Sequence, residues 1–193
     1  MEYFDRSKRS VLEKLFKPDK SRKGGVDELA VPVINALNEK TDFYTTSSCS
    51  GRICLFYESS SGKKYDSGWL FVKHGVVSLR ELWEPLKNLP NETIWFRCEA
   101  PIFHVACRDL KSANRLLDVC RSLGFKRSGI IGNGRRKLVE IVFNDKMDVP
   151  VASRGALFVD EKFLSFLVVK ANEKFRKNMV LLKKFEKEIK KNI

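Results

Sequence analysis

The strongest constraint on the fold is an apolar series in the segment that follows Asp160. Its members recur every three or four residues, the spacing of one face of an α-helix: Phe163, Phe166, Leu167, Ala171, Phe175, Met179, Leu182, Phe185 and Ile189. The spacing predicts one long helix whose apolar stripe packs on the body of the protein. Residues 170–193 also carry nine Lys or Arg against three Glu. The polar face of this helix is therefore either an ordinary solvated face or a surface that binds the backbone phosphates of RNA.

Upstream of this helix, helical and strand-like patterns interleave irregularly. Helices are predicted over residues 2–17, around 29–37, over 78–86 and over 110–123. The third is predicted to begin with a capping box formed by Ser78 and Glu81. Strands are predicted at 43–44, 53–57, 69–72, 93–98, 102–107, 125–131, 137–143 and 157–159. Hairpins mix with crossovers, so we predict the α+β (mixed α/β) class, as a single compact domain over residues 1–193. Small, basic loops at 47–52 and 128–136 leave open a construction from two similar halves.

The charge balance points to a polyanionic partner. There are 37 Lys and Arg against 24 Asp and Glu, a net charge of +13. Such an excess favours nucleic acid, with a merely solubilising surface, an anionic small substrate or a membrane surface as alternatives. No apolar run approaches the roughly 20 residues that span a bilayer, and the N-terminal residues lack the apolar core of a signal peptide. We expect a cytoplasmic protein that is not membrane-bound, secreted or structural.

The most unusual stretch runs from Thr45 to Arg52 and consists almost entirely of small residues. Hydroxyls and backbone amides in such a stretch can form a concave cradle for an anion. Arg52 adds a planar fork suited to a carboxylate or phosphate. The alternative is a serine-rich hairpin turn with a buried cysteine, in which Cys49 is a packing residue. A nucleophilic Cys49 would need a base brought to it by the fold.

Two histidines and one tryptophan are further candidates. Strand alternation places His104 on the face opposite Phe103 and Val105, and His74 follows the predicted strand that begins at Trp69. Each histidine is either structural or a general base. Trp69 is either a core residue or a ring on which a base stacks.

The glycine-rich run from Gly129 to Arg136 matches neither the dinucleotide fingerprint nor the P-loop. It is either a plain hairpin turn or one that presents Arg135 and Arg136 to RNA. The chain has five cysteines, an odd number with no CxxC pair. That spacing indicates neither a disulfide scaffold nor a zinc ribbon, and we expect no metal.

Taken in order, these segments resemble one family, the wybutosine-synthesising methyltransferases of phenylalanine transfer RNA. The matching pieces are Ser21-Arg22-Lys23-Gly24 with Val26-Asp27-Glu28, Phe43 through Ile53, Trp69-Leu70 with Val72 and His74, Phe103-His104-Val105 with Cys107-Arg108, Gly124 through Ile130, Val149-Pro150 and Ala171-Asn172. The sequence departs from the family pattern at Cys98, Ala100 and 142–144. These departures concern the far wall of the site.

The resemblance implies methyl transfer from S-adenosylmethionine to N4 of the tricyclic guanine derivative at position 37 of tRNA(Phe), on a fold unlike the Rossmann methyltransferases. The anticodon stem-loop would be the part of the RNA that is bound. The family's serine-cysteine-glycine-arginine block corresponds to Ser47, Ser48, Cys49, Gly51 and Arg52. We expect this block to bind the cofactor through the carboxylate of S-adenosylmethionine, or else to bind the side-chain carboxylate of the modified base. The family's histidine and tryptophan positions correspond to His104, His74 and Trp69.

General chemistry assigns further roles within that reaction. His104, before His74, is the expected base, because it lies within a strand and is more rigidly held. Trp69 is expected to stack on the tricyclic base or on adenine. The cations expected to hold phosphates are Arg22, Lys23, Arg135, Arg136 and the C-terminal lysines.

Two other functions remain open at this point. A non-catalytic RNA-binding module would use the same charges and aromatic rings, and it would bind RNA with a steep salt dependence. A cysteine-dependent hydrolase would require Cys49 for turnover. The oligomeric state and the particular wyosine intermediate are not specified by the sequence.

Overall fold

The computed structural model describes residues 3–15, 26–58 and 67–193. Within these ranges the chain forms five α-helices and nine β-strands, and the strands form two antiparallel sheets. This is the α+β class predicted from the sequence. The described residues form two compact units: residues up to 50 with 101–144 and 179–193, and residues 51–100 with 145–178.

The helices and strands have the following bounds. The helices are α1 (Tyr3–Leu12), α2 (Val31–Asn38), α3 (Leu79–Trp83), α4 (Leu110–Ser122) and α5 (Glu161–Asn192). The strands are β1 (Phe43–Cys49), β2 (Arg52–Glu58), β3 (Gly68–Lys73), β4 (Thr93–Glu99), β5 (Ile102–Cys107), β6 (Gly129–Asn133), β7 (Lys137–Val142), β8 (Met147–Ser153) and β9 (Ala156–Leu157). Among the helices of the described ranges, none is long and apolar enough for a membrane crossing.

The first unit is built on a four-stranded sheet in the order β1-β5-β7-β6. In β5, Phe103 and Val105 are fully buried and His104 between them is partly exposed, as a strand with one covered face requires. On the covered side the rings of Phe125 and Phe143 stack with centroids 4.1 Å apart. Phe185 of α5 packs against the same rings. The predicted apolar stripe of the last helix therefore enters this core.

The second unit is built on a five-stranded sheet in the order β3-β2-β4-β8-β9. In β4 the alternate residues Ile94, Phe96 and Cys98 are fully buried. The first half of α5 is fixed here by Asn172, whose side-chain amide accepts from the backbone N–H of Val77 at 2.9 Å and donates to its carbonyl at 2.8 Å. The N–H and the carbonyl of Val77 are thus both hydrogen-bonded to the same side-chain amide, so none of these polar groups lacks a partner.

Most predicted helices are confirmed, and two are shorter than the pattern suggested. Helix α1 ends at Leu12, and α3 ends at Trp83 because Pro85 starts a separate 3-10 turn. The capping box is confirmed: the Ser78 hydroxyl accepts from Glu81 N and the Glu81 carboxylate accepts from Ser78 N. Helix α2 begins after a 3-10 turn, with Pro32 in its first turn, where a proline costs no hydrogen bond.

The strands differ from the sequence pattern in three places, the first being β6, which was predicted from residue 125 and begins at Gly129. The small residues Ser47 to Cys49 were predicted as a loop, and they continue β1, because hydroxyl side chains are compatible with an exposed strand face. Strand β8 was not predicted, because Pro150 argues against a strand interior. β9 pairs with β8 only at Ala152 and Ser153. Pro150 is the register partner of Trp95 on β4, and among the described residues it has no partner on β9.

Candidate active site

In the first unit, three polar side chains form a row across neighbouring strands. Ser47 of β1 is the register partner of His104 of β5, and His104 is the register partner of Glu140 of β7. Directly opposed residues of antiparallel strands point to the same face. The alignment of Ser47 depends on a β-bulge, since the register shifts between Thr45 and Ser47. A bulge commonly re-aims a side chain in this way.

Both ring nitrogens of His104 have a partner in this row. Ser47 Oγ lies 2.6 Å from Nδ1, and Glu140 Oε2 lies 2.9 Å from Nε2. The His104 and Glu140 side chains are 27% and 32% exposed, and Ser47 is exposed. The arrangement therefore places an imidazole between a hydroxyl and a carboxylate at a partly solvent-accessible position.

The strand that carries Ser47 is fixed at both ends. At one end the backbone N–H of Thr45 donates to Asn38 Oδ1 at 2.8 Å. At the other end the N–H of Ser50 donates to Asp27 Oδ2 at 2.7 Å, and Asp27 is only 8% exposed. A buried carboxylate that accepts a backbone N–H is a strong, charge-assisted contact. These contacts fix both ends of the polar segment that carries Ser47.

In the second unit, the chain turns at Gly51 and enters β2. Gly51 has a φ of +88°, a left-handed conformation that favours glycine. The His74 ring bonds its carbonyl, with Nδ1 2.9 Å from Gly51 O. Because a carbonyl only accepts, His74 carries its proton on Nδ1 in this contact. The structure thus gives His74 a role in fixing the turn before Arg52.

Arg52 is held in a fixed orientation by two neighbours. Its Nε donates to Glu99 Oε2 at 2.5 Å, and Glu99 is its register partner on β4. Its guanidinium carbon lies 4.7 Å from the centroid of the Trp69 ring, a cation–π distance. Trp69 also packs against Phe56 and remains 39% exposed. A guanidinium on a partly exposed indole can present both a carboxylate-binding fork and an aromatic surface.

The remaining predicted site residues are placed as follows. The turn between β6 and β7 exposes Arg135, whose guanidinium lies 5.5 Å from the Tyr3 ring. Arg136 is partly buried and donates to the Tyr44 hydroxyl at 2.5 Å, so it also fixes the sheet. Arg22 and Lys23 lie outside the residues that the structure describes.

The cysteines divide into two classes. Four are buried, and burial raises the pKa of each thiol to about 12: Cys54, Cys98, Cys107 and Cys120. A thiol with so high a pKa is protonated at neutral pH and is a poor nucleophile. Cys49 is only partly buried. The expectation that the site uses no metal stays a prediction.

Sequence reasoning did not single out Asp27, Glu99 and Glu140. Asp27 stood in one of the family-like segments, but its contact with Ser50 spans 23 residues. Glu99 and Glu140 are identified by strand register, because they lie directly opposite the predicted residues Arg52 and His104. Had the pairing of strands been known, both carboxylates could have been found from the sequence.

The structure defines an α+β protein with a partly exposed serine–histidine–glutamate row in one unit and an arginine on an indole ring in the other, and the sequence has no dinucleotide fingerprint. The sequence profile of the family described as Methyltransferase TYW3 matches residues 6–191. The chain belongs to this methyltransferase family.

Similar proteins cover nearly the whole chain. A Thermococcus kodakarensis protein named tRNA(Phe) 7-((3-amino-3-carboxypropyl)-4-demethylwyosine(37)-N(4))-methyltransferase 1 is 38% identical, over 98% of this chain and 96% of its own length. A Saccharomyces cerevisiae protein, tRNA wybutosine-synthesizing protein 3, is 33% identical over 96% of this chain and 82% of its own. A solved Pyrococcus horikoshii structure superposes with a TM-score of 0.85 at 35% identity, covering 96% of this chain and 95% of that chain.

Proposed function

We propose that this chain transfers a methyl group from S-adenosylmethionine to N4 of the tricyclic wyosine-precursor guanine at position 37 of tRNA(Phe). The observation that carries the proposal is the family match over residues 6–191, together with the named activity of the archaeal relatives. The net charge of +13 suits an RNA substrate. We further propose that residues 1–193 act as one functional domain in a cytoplasmic protein, as the sequence analysis expects.

The chemistry of the side chains fits the methyl donor. S-adenosylmethionine, when bound, supplies a methyl group made electrophilic by its positively charged sulfur. Arg52, held by Glu99, offers its guanidinium to the carboxylate of the amino-acid end. Trp69, 39% exposed, offers an aromatic surface to adenine or to the substrate base. Gly51 and His74 fix the turn that precedes Arg52, and the assignment of Ser48 and Cys49 to the donor stays a prediction.

The acceptor nitrogen requires a base. Its lone pair is conjugated with the ring until the N–H is polarised, and a positioned histidine contributes about 10²–10⁴-fold to such a proton transfer. His104 is proposed as this base in preference to His74, because its ring is held on both sides while remaining partly exposed. His74, bonded to the Gly51 carbonyl, is proposed as a structural residue of the turn.

Binding of the anticodon stem-loop is assigned to cations on the surface. Arg135 is exposed in the turn before β7, and the C-terminal helix carries a series of exposed lysines. Lysine and arginine contacts with phosphates release counterions, so the affinity should fall steeply with salt concentration. Arg136, with its contact to Tyr44, is proposed to support the turn more than to bind phosphate.

The experiment is transfer of labelled methyl from S-adenosylmethionine to tRNA(Phe) that is natively modified except for the N4 methyl. Wild type and His104→Ala are compared, with Arg115→Ala as a control for loss of a surface arginine. We expect label in the RNA with wild type and Arg115→Ala, and at least a hundredfold slower transfer with His104→Ala. RNA binding without any label from wild type would contradict the proposal and leave an RNA-binding module.

A further inference from the structure

We propose that Ser47 Oγ is the atom that takes the proton from substrate N4, and that His104 acts through Ser47 with Glu140 fixing its ring. The proposal rests on the proposed function and deepens it. It assigns Ser47 to the acceptor proton, whereas the family-like block would have assigned it to the cofactor. Glu140, which no sequence pattern singled out, becomes a positioning residue.

The first argument is the alignment of the three side chains. Ser47, His104 and Glu140 are successive register partners on β1, β5 and β7. Without the shift between Thr45 and Ser47, Thr46 would stand opposite His104. Thr46 instead donates its hydroxyl to the backbone carbonyl of His104 at 3.2 Å. The bulge therefore selects Ser47 as the hydroxyl that meets the ring.

The row ends at Glu140. The next register partner is Gly129 of β6, which has no side chain. The Glu140 carboxylate consequently has no side chain beyond it in the row, and its contact is with the His104 ring at 2.9 Å. In such a row the carboxylate favours transfer of the serine proton to the imidazole, because it stabilises the imidazolium that forms.

The second argument is the tautomer of His104. An ionised carboxylate accepts hydrogen bonds and donates none. Glu140 therefore requires the proton of neutral His104 to be on Nε2. Nδ1 then carries the lone pair, and the Ser47 hydroxyl, 2.6 Å away, must donate to it. This is the same logic by which a carboxylate sets the tautomer of a histidine base elsewhere.

The third argument concerns which atom of the row can accept a proton from the substrate. Each ring nitrogen of His104 already has a partner in the row, so direct contact with substrate would break one of these bonds. A hydroxyl has one proton to donate and two lone pairs that accept. Because the Ser47 proton is directed to Nδ1, its lone pairs can accept the N4 hydrogen. Ser47 is also the more exposed of the two residues.

The proton step balances as follows. The N4–H bond breaks, its proton goes to Ser47 Oγ, and the Ser47 hydroxyl proton goes to His104 Nδ1. The electron pair left on N4 forms the N–CH3 bond, and the pair of the broken carbon–sulfur bond leaves on sulfur. His104 becomes an imidazolium whose charge Glu140 stabilises, and the imidazolium then releases its proton to solvent. No serine ester or other covalent enzyme intermediate forms.

The test is a comparison of Ser47→Ala with Ser47→Thr and Thr46→Val under saturating donor and RNA. Ser47→Ala leaves the His104–Glu140 contact in place and removes only the hydroxyl. We expect its kcat to fall about a hundredfold or more with KM for the donor little changed. Ser47→Thr, which restores a hydroxyl, should recover most of kcat. Thr46→Val, which removes the hydroxyl bonded to the backbone, should retain wild-type kcat.

Substitution of Glu140 provides a second kinetic test of the proposed proton transfer. Glu140→Gln keeps the shape but removes the charge that stabilises the imidazolium, and we expect kcat to fall at least tenfold. Long-range nitrogen NMR of the wild-type ring at neutral pH should show the Nε2–H tautomer. The chain has two histidines, so the His104 signals are those absent from His104→Ala.

The outcomes distinguish a failure of the proton relay, from N4 through Ser47 to His104, from a failure of the proposed function. If wild type methylates and Ser47→Ala keeps its kcat, or raises only KM for the donor, the relay is wrong and the methyltransferase stands. An Nδ1–H tautomer in wild type would also overturn the relay, whatever the kinetics. If wild type transfers no methyl group, the proposed function itself fails.

Discussion

Replacing Arg52 by lysine tests whether the guanidinium on β2 binds the carboxylate of the methyl donor. In the structure, Arg52 Nε donates to Glu99 at 2.5 Å and the guanidinium lies 4.7 Å from the Trp69 ring. The arginine side chain is 22% exposed, so these contacts are partly shielded from water. Lysine keeps the charge and loses the planar fork, so the substitution removes geometry more than electrostatic attraction.

The magnitudes follow from the contacts that are lost. The cation–π contact contributes about 0.5–1 kcal/mol, and a partly exposed ion pair contributes up to about 1 kcal/mol. The free energy of unfolding should therefore fall by about 0.5–2 kcal/mol. A hydrogen bond to a charged group contributes about 1.5–3 kcal/mol, so the Kd for S-adenosylmethionine should rise about 10- to 150-fold.

Arg97→Lys is the matched control. Arg97 lies on β4 with the same 22% side-chain exposure, pairs with Asp148 at 3.2 Å, and lies 4.6 Å from the Phe56 ring. Urea unfolding should show a similar loss for both variants, whereas calorimetric titration should show weaker donor binding only for Arg52→Lys. Wild-type donor affinity in Arg52→Lys, or an equal loss in Arg97→Lys, would refute the assignment.

Three further predictions concern stability and the thiols. Phe185→Ala removes a buried ring that packs against Phe103, Phe125 and Phe143, and it should lower the free energy of unfolding, measured in urea, by about 3–5 kcal/mol. Bonds from a lysine and from Ser78 lower the pKa of Glu81 to about 2, from an ordinary value of 4.5. The stability from Glu81 is thus complete above pH 4.5 and lost as pH falls to about 2, so the Tm difference between wild type and Glu81→Gln should shrink over that interval. Cys49→Ser should retain most methyl transfer, and a thiol reagent at neutral pH should modify Cys49 before the four buried thiols.

The controls for these predictions use the same assays. Phe163→Ala, at a ring 45% exposed, should change stability by less than about 0.5 kcal/mol, and an equal loss in both phenylalanine variants would contradict the placement of the core. A Tm difference that persists at pH 2 would refute the role of Glu81. Abolished turnover in Cys49→Ser would favour a cysteine nucleophile.

Local sequence patterns predicted the helices and strands whose conformation is determined by residues close together in the sequence. The apolar spacing after Asp160 predicted α5, and the capping residues Ser78 and Glu81 predicted the start of α3. Alternation around His104 correctly predicted its face, because Phe103 and Val105 are buried. In each case the responsible interactions lie within a few residues of one another.

The features that the sequence did not predict depend on pairing between distant segments. The bulge that brings Ser47 opposite His104 is a property of the β1–β5 register. Glu140 lies 36 residues from His104, and Glu99 lies 47 residues from Arg52. Periodicity reports which face of a strand is covered and carries no information about the neighbouring strand. Strand pairing was therefore needed to find the carboxylates of the site.

The most direct test of the central claim is mass spectrometry of the nucleosides released from tRNA(Phe) after incubation with this protein and S-adenosylmethionine. The substrate RNA carries the demethylated wyosine precursor at position 37, and a parallel RNA carries unmodified guanosine there. We expect the precursor nucleoside to gain one methyl group, located on N4 by fragmentation, and the guanosine RNA to remain unchanged. A methyl group on another atom, or no methyl group despite bound RNA and donor, would contradict the account.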